Sequence, residues 1–371
     1  MAEKFAVWDS PSGNAFRPPR FAPQGALMRF IVGPLLLVVR APLLLLVACL
    51  YAAVRCVPSA VPRGCGPLGC VRRLWLRTVD VVFARALLFI IGFVWIGESA
   101  ADLRRMGIGS ARSRGTGGQA GSVAAVQRGD VVLCNHVSFV QVLYLAYRCS
   151  PEFTTVPLDG KGKLRRVGLF AALRAAFGAD TASTTSGAGA ALVSLDALAG
   201  ENRALAGGAP VVVFPEGAPT NNTTMLRFEP IAGESGALVP ETASRTHLLT
   251  FKFGGVVKKG KGRKAAAVAS WSPVQPASPP CRLIVRALFQ LTHALDVRFL
   301  RASLVPKADE HAAGVAGLAP GSLSLDAARE LMASNGMLGR TLVETWKASD
   351  YVMFEAWERN GQRGEVPKYS R

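Results

Sequence analysis

The sequence predicts an α/β domain preceded by an N-terminal apolar helical membrane segment. From about residue 129 onward, short β-branched runs alternate with stretches of helical periodicity. Nearer the N-terminus lies an apolar run long enough to cross a bilayer. The composition agrees: of 371 residues, 50% are hydrophobic and 18% charged, with a mean hydropathy of +0.27. A chain of this size and apolarity calls for lipid over part of its surface.

The elements follow in order. Residues 1–25 form a polar, Pro-rich tail, which argues against a cleaved signal peptide. Ile31–Val54 is apolar but interrupted by Pro34, Arg40 and Pro42, and Val81–Ile96 is a second run carrying Arg85. Between them stand Arg55, Arg63, Arg72, Arg73 and Arg77. Three arrangements fit: a spanning hairpin, two helices in the interface with arginines reaching headgroups, or a first membrane helix followed by a buried core helix. Residues 26–106 are taken together as a membrane-associated helical region. Residues 107–128, rich in Gly, Ser, Ala and Arg, read as a flexible linker.

The α/β domain is expected over 129–310. Asp130–Cys134 reads as a strand, and Val140–Tyr147 as a helix with Val140, Leu143, Tyr144 and Tyr147 on one face. Leu164–Phe177 and Ala190–Leu205 have helical spacing, with the small polar loop Thr181–Gly189 between them. Pro210–Phe214, His247–Phe253 and Val297–Leu304 read as strands, and Cys281–Leu291 as an apolar segment. Lys258–Lys264 is a basic stretch, either a solvated loop or a contact for anionic headgroups or the phosphates of a nucleotide carrier. Residues 311–371 form a C-terminal helical extension, its pattern broken near Asn335-Gly336.

Lys and Arg total 43 against 25 Asp and Glu, a net charge of +18. A nucleic acid, an anionic membrane face or a phosphate-bearing substrate would each match that sign. The low aromatic content and the lack of any recognition-helix, zinc-finger or RNP pattern exclude nucleic acid. Seven cysteines match neither a zinc site nor a disulfide framework, which predicts a reduced, cytosol-facing protein without a metal. Cys56, Cys65 and Cys70 flank an apolar segment, where reversible palmitoylation is a possibility.

Two short segments carry the chemistry. Asn135-His136-Val137-Ser138 with Gln141 follows the strand at Asp130–Cys134, and Phe214-Pro215-Glu216-Gly217 follows the strand at Pro210. Both sit at the carboxyl ends of strands, the edge of an α/β sheet where ligands bind. His136 is one of four histidines, and its imidazole suits a general base that takes a hydroxyl proton near neutral pH. Pro215 and Gly217 impose a turn that presents Glu216 to a backbone amide, a basic side chain or a substrate hydroxyl.

Together the segments resemble the glycerolipid acyltransferase family, whose signature is Asn-His-x4-Asp followed later by Phe-Pro-Glu-Gly. The resemblance covers about Arg128 to Phe253. It implies an acyltransferase domain with a mixed sheet flanked by helices, an acyl-CoA donor as co-substrate with no other cofactor, and a lysophospholipid acceptor. His136 would be the catalytic base. Gln141 stands where the family has Asp; it can orient the imidazole through its amide but lacks charge. Asp159, Asp180 and Glu216 are alternative acids. Asn135, Ser138, Phe214, Pro215, Glu216, Gly217, Thr220 and Asn221 would form the acceptor site. The family's Arg after the second motif is missing, leaving Arg227 as the candidate phosphate partner, and the middle block expected near Gly168–Asp180 is weakly matched.

Glu3-Lys4-Phe5, Thr220-Asn221 and Phe354-Glu355-Ala356-Trp357 add a resemblance to a fungal-type branch related to lysophosphatidic acid:oleoyl-CoA acyltransferase. That branch implies phosphatidic acid as product, and the endoplasmic reticulum membrane or lipid droplet as location. Two other readings stay open: a catalytically weak or inactive relative acting as a lipid-surface or partner-binding module, and a membrane scaffold recruiting partners through its basic loops. Asn221 and Asn222 form overlapping glycosylation acceptors that a cytosolic active face would leave unmodified.

Overall fold

The computed structural model describes residues 16, 26–60, 66–102, 106, 123–157, 162–177, 192–221, 224–231, 245–253, 280–300, 324–334, 337–339, 341–342 and 347–359. The basic stretch at 258–264, the loop at 181–189, most of the linker, and Cys65, Asp159, Asp180 and Asn222 lie outside the described residues.

An eight-stranded mixed sheet forms the centre, in the order β1-β9-β8-β2-β6-β3-β4-β5. The strands are β1 (Ile96–Ala100), β2 (Val131–Cys134), β3 (Glu152–Thr155), β4 (Leu164–Val167), β5 (Leu192–Val193), β6 (Val211–Val213), β8 (Thr246–Phe253) and β9 (Leu295–Leu300). The short strands β7 (Thr224–Met225) and β10 (Thr341–Leu342) pair in parallel as a separate ribbon. The middle of the sheet is parallel, with β8, β2, β6 and β3 side by side. Antiparallel pairing appears at β8–β9, β3–β4 and β4–β5. Val131-Val132-Leu133 and Val211-Val212-Val213 are buried throughout, as continuous apolar runs must be when helices cover both faces of a parallel sheet.

Helices cover the two faces. Val132, Cys134, Val212 and Phe251 pack under α2 (Gly66–Ile91), α3 (Phe139–Cys149), α4 (Leu169–Ala176) and α6 (Pro280–Leu288). On the opposite face, Val131, Leu133, Val211, Val213 and Leu248 pack under α5 (Leu195–Ala204) and α7 (Leu325–Ala333). The mixed sheet flanked by helices agrees with the sequence expectation. Helix α8 (Ala348–Arg359) follows near the C-terminus.

Some elements differ from their sequence pattern. The stretch from Leu164 to Phe177 divides into β4 and α4 at Gly168, whose backbone is extended at φ −73° and ψ 165°. Leu164, Arg165, Arg166 and Val167 are drawn into antiparallel pairing with β3 and β5, and this ladder overrides their helical spacing. The helix expected from Ala190 starts only at Leu195, where the Ser194 hydroxyl caps the amide of Ala197. The late strand begins at Leu295 rather than Val297 and is described to Leu300; residues 301–304 lie outside the described residues.

The N-terminal region is a helical pair docked on the domain. Helix α1 (Gly33–Cys56) continues from a π-helical turn at Met28–Val32. Among the described residues, Met28–Cys56 is the one helix long and apolar enough to cross a bilayer. The arginine-bearing stretch after residue 66 is already helical, because α2 begins at Gly66. In its second half Val79, Ala84, Leu87, Leu88 and Ile91 are buried in the domain core while Val82 and Phe89 stay exposed. The Val81–Ile96 run is therefore a core helix on one side, and its last residue opens β1.

One buried carboxylate joins this pair to the domain. Asp80 accepts hydrogen bonds from the Tyr51 hydroxyl at 2.6 Å, from the Arg55 guanidinium and from the Ser150 hydroxyl. Ser150 caps the C-terminus of α3 in a left-handed conformation, φ +44°. Arg73 donates to the carbonyls of Cys149, at 2.8 Å, and Ser150 at the same helix end, where the helix dipole favours a cation. Arg55 and Arg73 thus face carbonyl and carboxylate oxygens of the protein. Asp80→Asn is expected to cost on the order of 3 kcal/mol, since it strips a buried cation of its partner, and Ser150→Ala about 1 kcal/mol. Urea unfolding of both variants and their combination tests the network; a combined loss equal to the sum would mean that the contacts are independent.

Candidate active site

Strand β2 ends at Cys134, and the next residue extends its pairing. Asn135 turns its side-chain amide onto Phe251 of β8, accepting from the backbone N–H at 2.8 Å and donating to the carbonyl at 3.2 Å. The side chain copies one more step of the β2–β8 ladder. The backbone then turns into α3 through a capping box. Ser138 accepts from the amide of Val140 at 3.3 Å, and Gln141 reaches back toward the preceding turn. Its Oε1 accepts from the amides of Val137 at 2.7 Å and Ser138 at 3.0 Å, and its Nε2 donates to the Asn135 carbonyl at 3.0 Å.

The loop is fixed from the other side by the second motif. Glu216 is fully buried. One carboxylate oxygen accepts the His136 backbone N–H at 2.7 Å, and the other accepts the Leu226 N–H at 3.0 Å. The turn that delivers it has Gly217 at φ +66°, a conformation that favours glycine, and Gly217 N–H returns to the Phe214 carbonyl at 3.1 Å. Thr220 donates to the His136 carbonyl through both its N–H, at 2.9 Å, and its hydroxyl, at 3.2 Å. Both backbone polar groups of His136 are therefore tied to the 214–220 segment.

The imidazole itself lies in an apolar setting. Its ring stacks on Phe214 with centroids 4.8 Å apart, and the residue is only 7% exposed. Burial lowers its pKa to about 4, so the ring is neutral at pH 7 with a lone pair available. Its Nδ1 is enclosed and has no hydrogen-bond partner among the described residues. Burial pushes the Glu216 carboxyl up to about 8, against the pull of the Leu226 and His136 amides and the Arg329 charge.

Asn135, His136, Ser138, Gln141, Phe214, Glu216 and Thr220 converge on this loop. The expected pairing of Gln141 with the imidazole is not formed: its amide is spent on three backbone groups. Nor does Glu216 supply the acid, since both its oxygens bond backbone amides. It is also enclosed rather than presented to an acceptor. Pro215 contributes its carbonyl, which accepts the Glu229 N–H at 2.8 Å. Asn221 is buried, and Arg227 is exposed, apart from the buried cluster.

A histidine–carboxylate pair does exist, but at the other end of β2. His247 Nε2 and Asp130 Oδ2 lie 3.0 Å apart, both buried. Burial alone would raise the Asp130 pKa, yet the bonds from His247 and from the Gln127 amide hold it below the usual carboxylate range. This pair ties β2 to β8 at the edge opposite His136.

With this geometry in place, one likeness stands out. The chain is 28% identical over 162 residues to lysophospholipid acyltransferase LPEAT1 of Arabidopsis thaliana. The match spans 42% of this chain and 40% of that protein's length. No protein-family model matches the chain, and no solved structure matches it.

Two participants escape sequence reasoning. Leu226 acts through its backbone, which has no side-chain signature. Arg329, on α7, is buried and donates from Nε to the Leu226 carbonyl at 2.8 Å. Its one trace in the sequence is a charged residue on the helical face of Leu325 and Met332.

The His136 titration is directly testable. The folded pKa lies below the ordinary 6.5, so between about pH 6.5 and 4 the unfolded chain binds more protons and the contribution of His136 to stability falls as pH falls. NMR of the histidine ring protons should show two of the four residues titrating near 4, since burial lowers His293 to about 4 as well, with the His136 resonance assigned by its loss in His136→Ala; His136 titrating at 6.5 would contradict the buried, unpaired ring.

Proposed function

We propose that this protein is a membrane-bound acyltransferase that moves a fatty acyl group from acyl-CoA to the free hydroxyl of a lysophospholipid, with lysophosphatidic acid as acceptor and phosphatidic acid as product. The observation that carries the reading is a neutral, enclosed histidine at the carboxyl end of a central strand, its backbone gripped by the carboxylate of the second motif. The likeness to a lysophospholipid acyltransferase supports the substrate class.

In the reaction, His136 takes the proton of the acceptor hydroxyl as its oxygen attacks the thioester carbonyl. A C–O bond forms, the tetrahedral intermediate collapses, and the C–S bond breaks. The imidazolium returns the proton to the leaving CoA thiolate. Gln141, Asn135, Ser138, Glu216 and Thr220 act by holding the loop that carries the base. Arg227, exposed near β7, is the proposed partner for the acceptor phosphate, and the net charge of +18 favours approach of anionic donor and acceptor.

The membrane side of the proposal rests on α1 and α2. Phe30, Leu35, Val38, Leu45 and Leu46 on the first helical segment, and Leu68, Val71, Leu74, Trp75 and Val82 on the second, are exposed. Because α2 packs along α3, the pair is proposed to lie in the interface of the endoplasmic reticulum or lipid-droplet membrane.

One specific observation favours a second reading, a protein that binds lipid with slow or no turnover. No acid stabilises an imidazolium at His136, because Nδ1 has no partner among the described residues. Purified protein in detergent, given labelled oleoyl-CoA and a panel of lysophospholipids, separates the two. His136→Ala should lower product formation by about 10²–10⁴-fold. No product from folded wild-type protein with any acceptor would leave the lipid-binding reading standing.

A further inference from the structure

Leu226 is gripped on both sides of its peptide unit. Its N–H goes to Glu216 at 3.0 Å and its carbonyl receives Arg329 Nε at 2.8 Å, while an Nη of Arg329 lies 3.5 Å from the Met225 carbonyl. All four residues are buried. The grip is non-local, since Arg329 stands more than a hundred residues after Leu226. It is also rigid at both ends. Met225 belongs to β7, paired with β10, and α7 is packed through Ala328, Leu331 and Met332 into the core beneath β2 and β6.

We propose that Arg329 is a positioning residue for His136, acting through Leu226 and Glu216. The path has three short steps: guanidinium to the Leu226 carbonyl, Leu226 N–H to one carboxylate oxygen, and the other oxygen to the His136 N–H. Without the guanidinium, two carbonyls in the 225–226 segment lose a buried donor. Leu226 is then free to shift, and Glu216 loses one of the two amides that fix its carboxylate. The base moves with it, because the His136 amide is held by that same carboxylate. The charge of Arg329 also opposes the burial that drives Glu216 toward its neutral form. The groups acting on Glu216 are the His136 and Leu226 amides and the Arg329 charge. The helix bearing Arg329 lies outside the segment that resembles the acyltransferase family, so the C-terminal region completes the loop geometry rather than adding a detachable extension.

The consequence for turnover rests on the acyltransferase reading; the consequence for geometry does not, and the test keeps them apart. Full-length Arg329→Gln and Arg329→Lys are compared with wild type by amide hydrogen exchange and by acyl transfer from oleoyl-CoA. In Arg329→Gln, the His136 and Leu226 amides should lose at least about tenfold protection while the β2 amides Val132 and Leu133 keep theirs, and kcat should fall about 10–10²-fold with little change in KM, the mark of a misplaced group. The pH at which Glu216 titrates should also rise above its wild-type value. Arg329→Lys, which keeps the charge but not the fork, should recover part of each effect. If Arg329→Gln does not fold, Arg329→Lys alone carries the exchange comparison, with a smaller local loss expected. Unchanged His136 protection, or a loss spread evenly over the β2 amides, overturns the proposal. Loss of His136 protection in a protein whose wild type shows no acyl transfer leaves the positioning role intact and removes the acyltransferase reading.

Discussion

The buried carboxylate of Glu216 is the contact on which the loop geometry depends. Burying a carboxylate costs several kcal/mol unless hydrogen bonds replace its water. Here the replacements are backbone amides from two separate parts of the chain, at His136 and Leu226. Each amide is also buried and would be orphaned without it. The carboxylate is therefore both a liability and a joint. It binds the end of β2 to the segment after β6, and through Leu226 to the ribbon of β7 and β10. The left-handed Gly217 and the preceding proline make the sharp turn that lets one side chain reach both places.

The same enclosure sets the chemistry of His136. A histidine paired with a carboxylate keeps a raised or normal pKa and gains help when it becomes charged. His136 has neither: burial against Phe214 lowers its pKa to about 4. Such a ring is always in the form that accepts a proton, at the cost of basicity and of a stabilised imidazolium. The protein has a His–Asp pair in Asp130 and His247, yet that pair binds two strands together at the far edge of the sheet. Proximity of residue types in a sequence thus says less than which end of a strand they occupy.

Much of the fold was legible because burial on both faces writes itself as uninterrupted apolar runs. Val131–Cys134 and Val211–Val213 were read correctly for that reason, as was α3, whose capping residues Ser138 and Gln141 stand just before its apolar face. Strand β1, Ile-Gly-Glu-Ser-Ala, was invisible: it is a largely exposed edge with a single large apolar residue, so no periodicity marks it. β4 was mistaken for helix because Arg165 and Arg166 sit where antiparallel neighbours decide the outcome. Within the site, the motifs gave residues that the structure brings to one loop, but not their bonds. Gln141 was expected to orient the imidazole but bonds backbone, and Glu216, open to a backbone amide, a basic side chain or a substrate hydroxyl, takes backbone amides, since orphaned amides at a strand end compete for the nearest acceptor.

The helical pair inverts the usual logic of a soluble surface. Three of its arginines point inward: Arg40 donates to the carbonyls of Gln290 and Leu291 at the end of α6, Arg73 to the end of α3, and Arg85 to the carbonyls of Phe93 and Val94. Each cation sits where helix-end and turn carbonyls lack internal partners. With these polar contacts turned toward the domain, the leucines, valines and aromatics of α1 and α2 remain outside. An exposed apolar surface of that extent is costly in water and favourable in the headgroup–acyl boundary. The arginines explain how so apolar a pair stays fixed to the domain: they provide directional bonds that a lipid environment strengthens rather than competes for. The rigid link from α1 and α2 through Asp80 and Ser150 ends on α3, the helix whose first turn carries the His136 loop. The two helices with exposed apolar faces and the candidate base are thus parts of one packed unit.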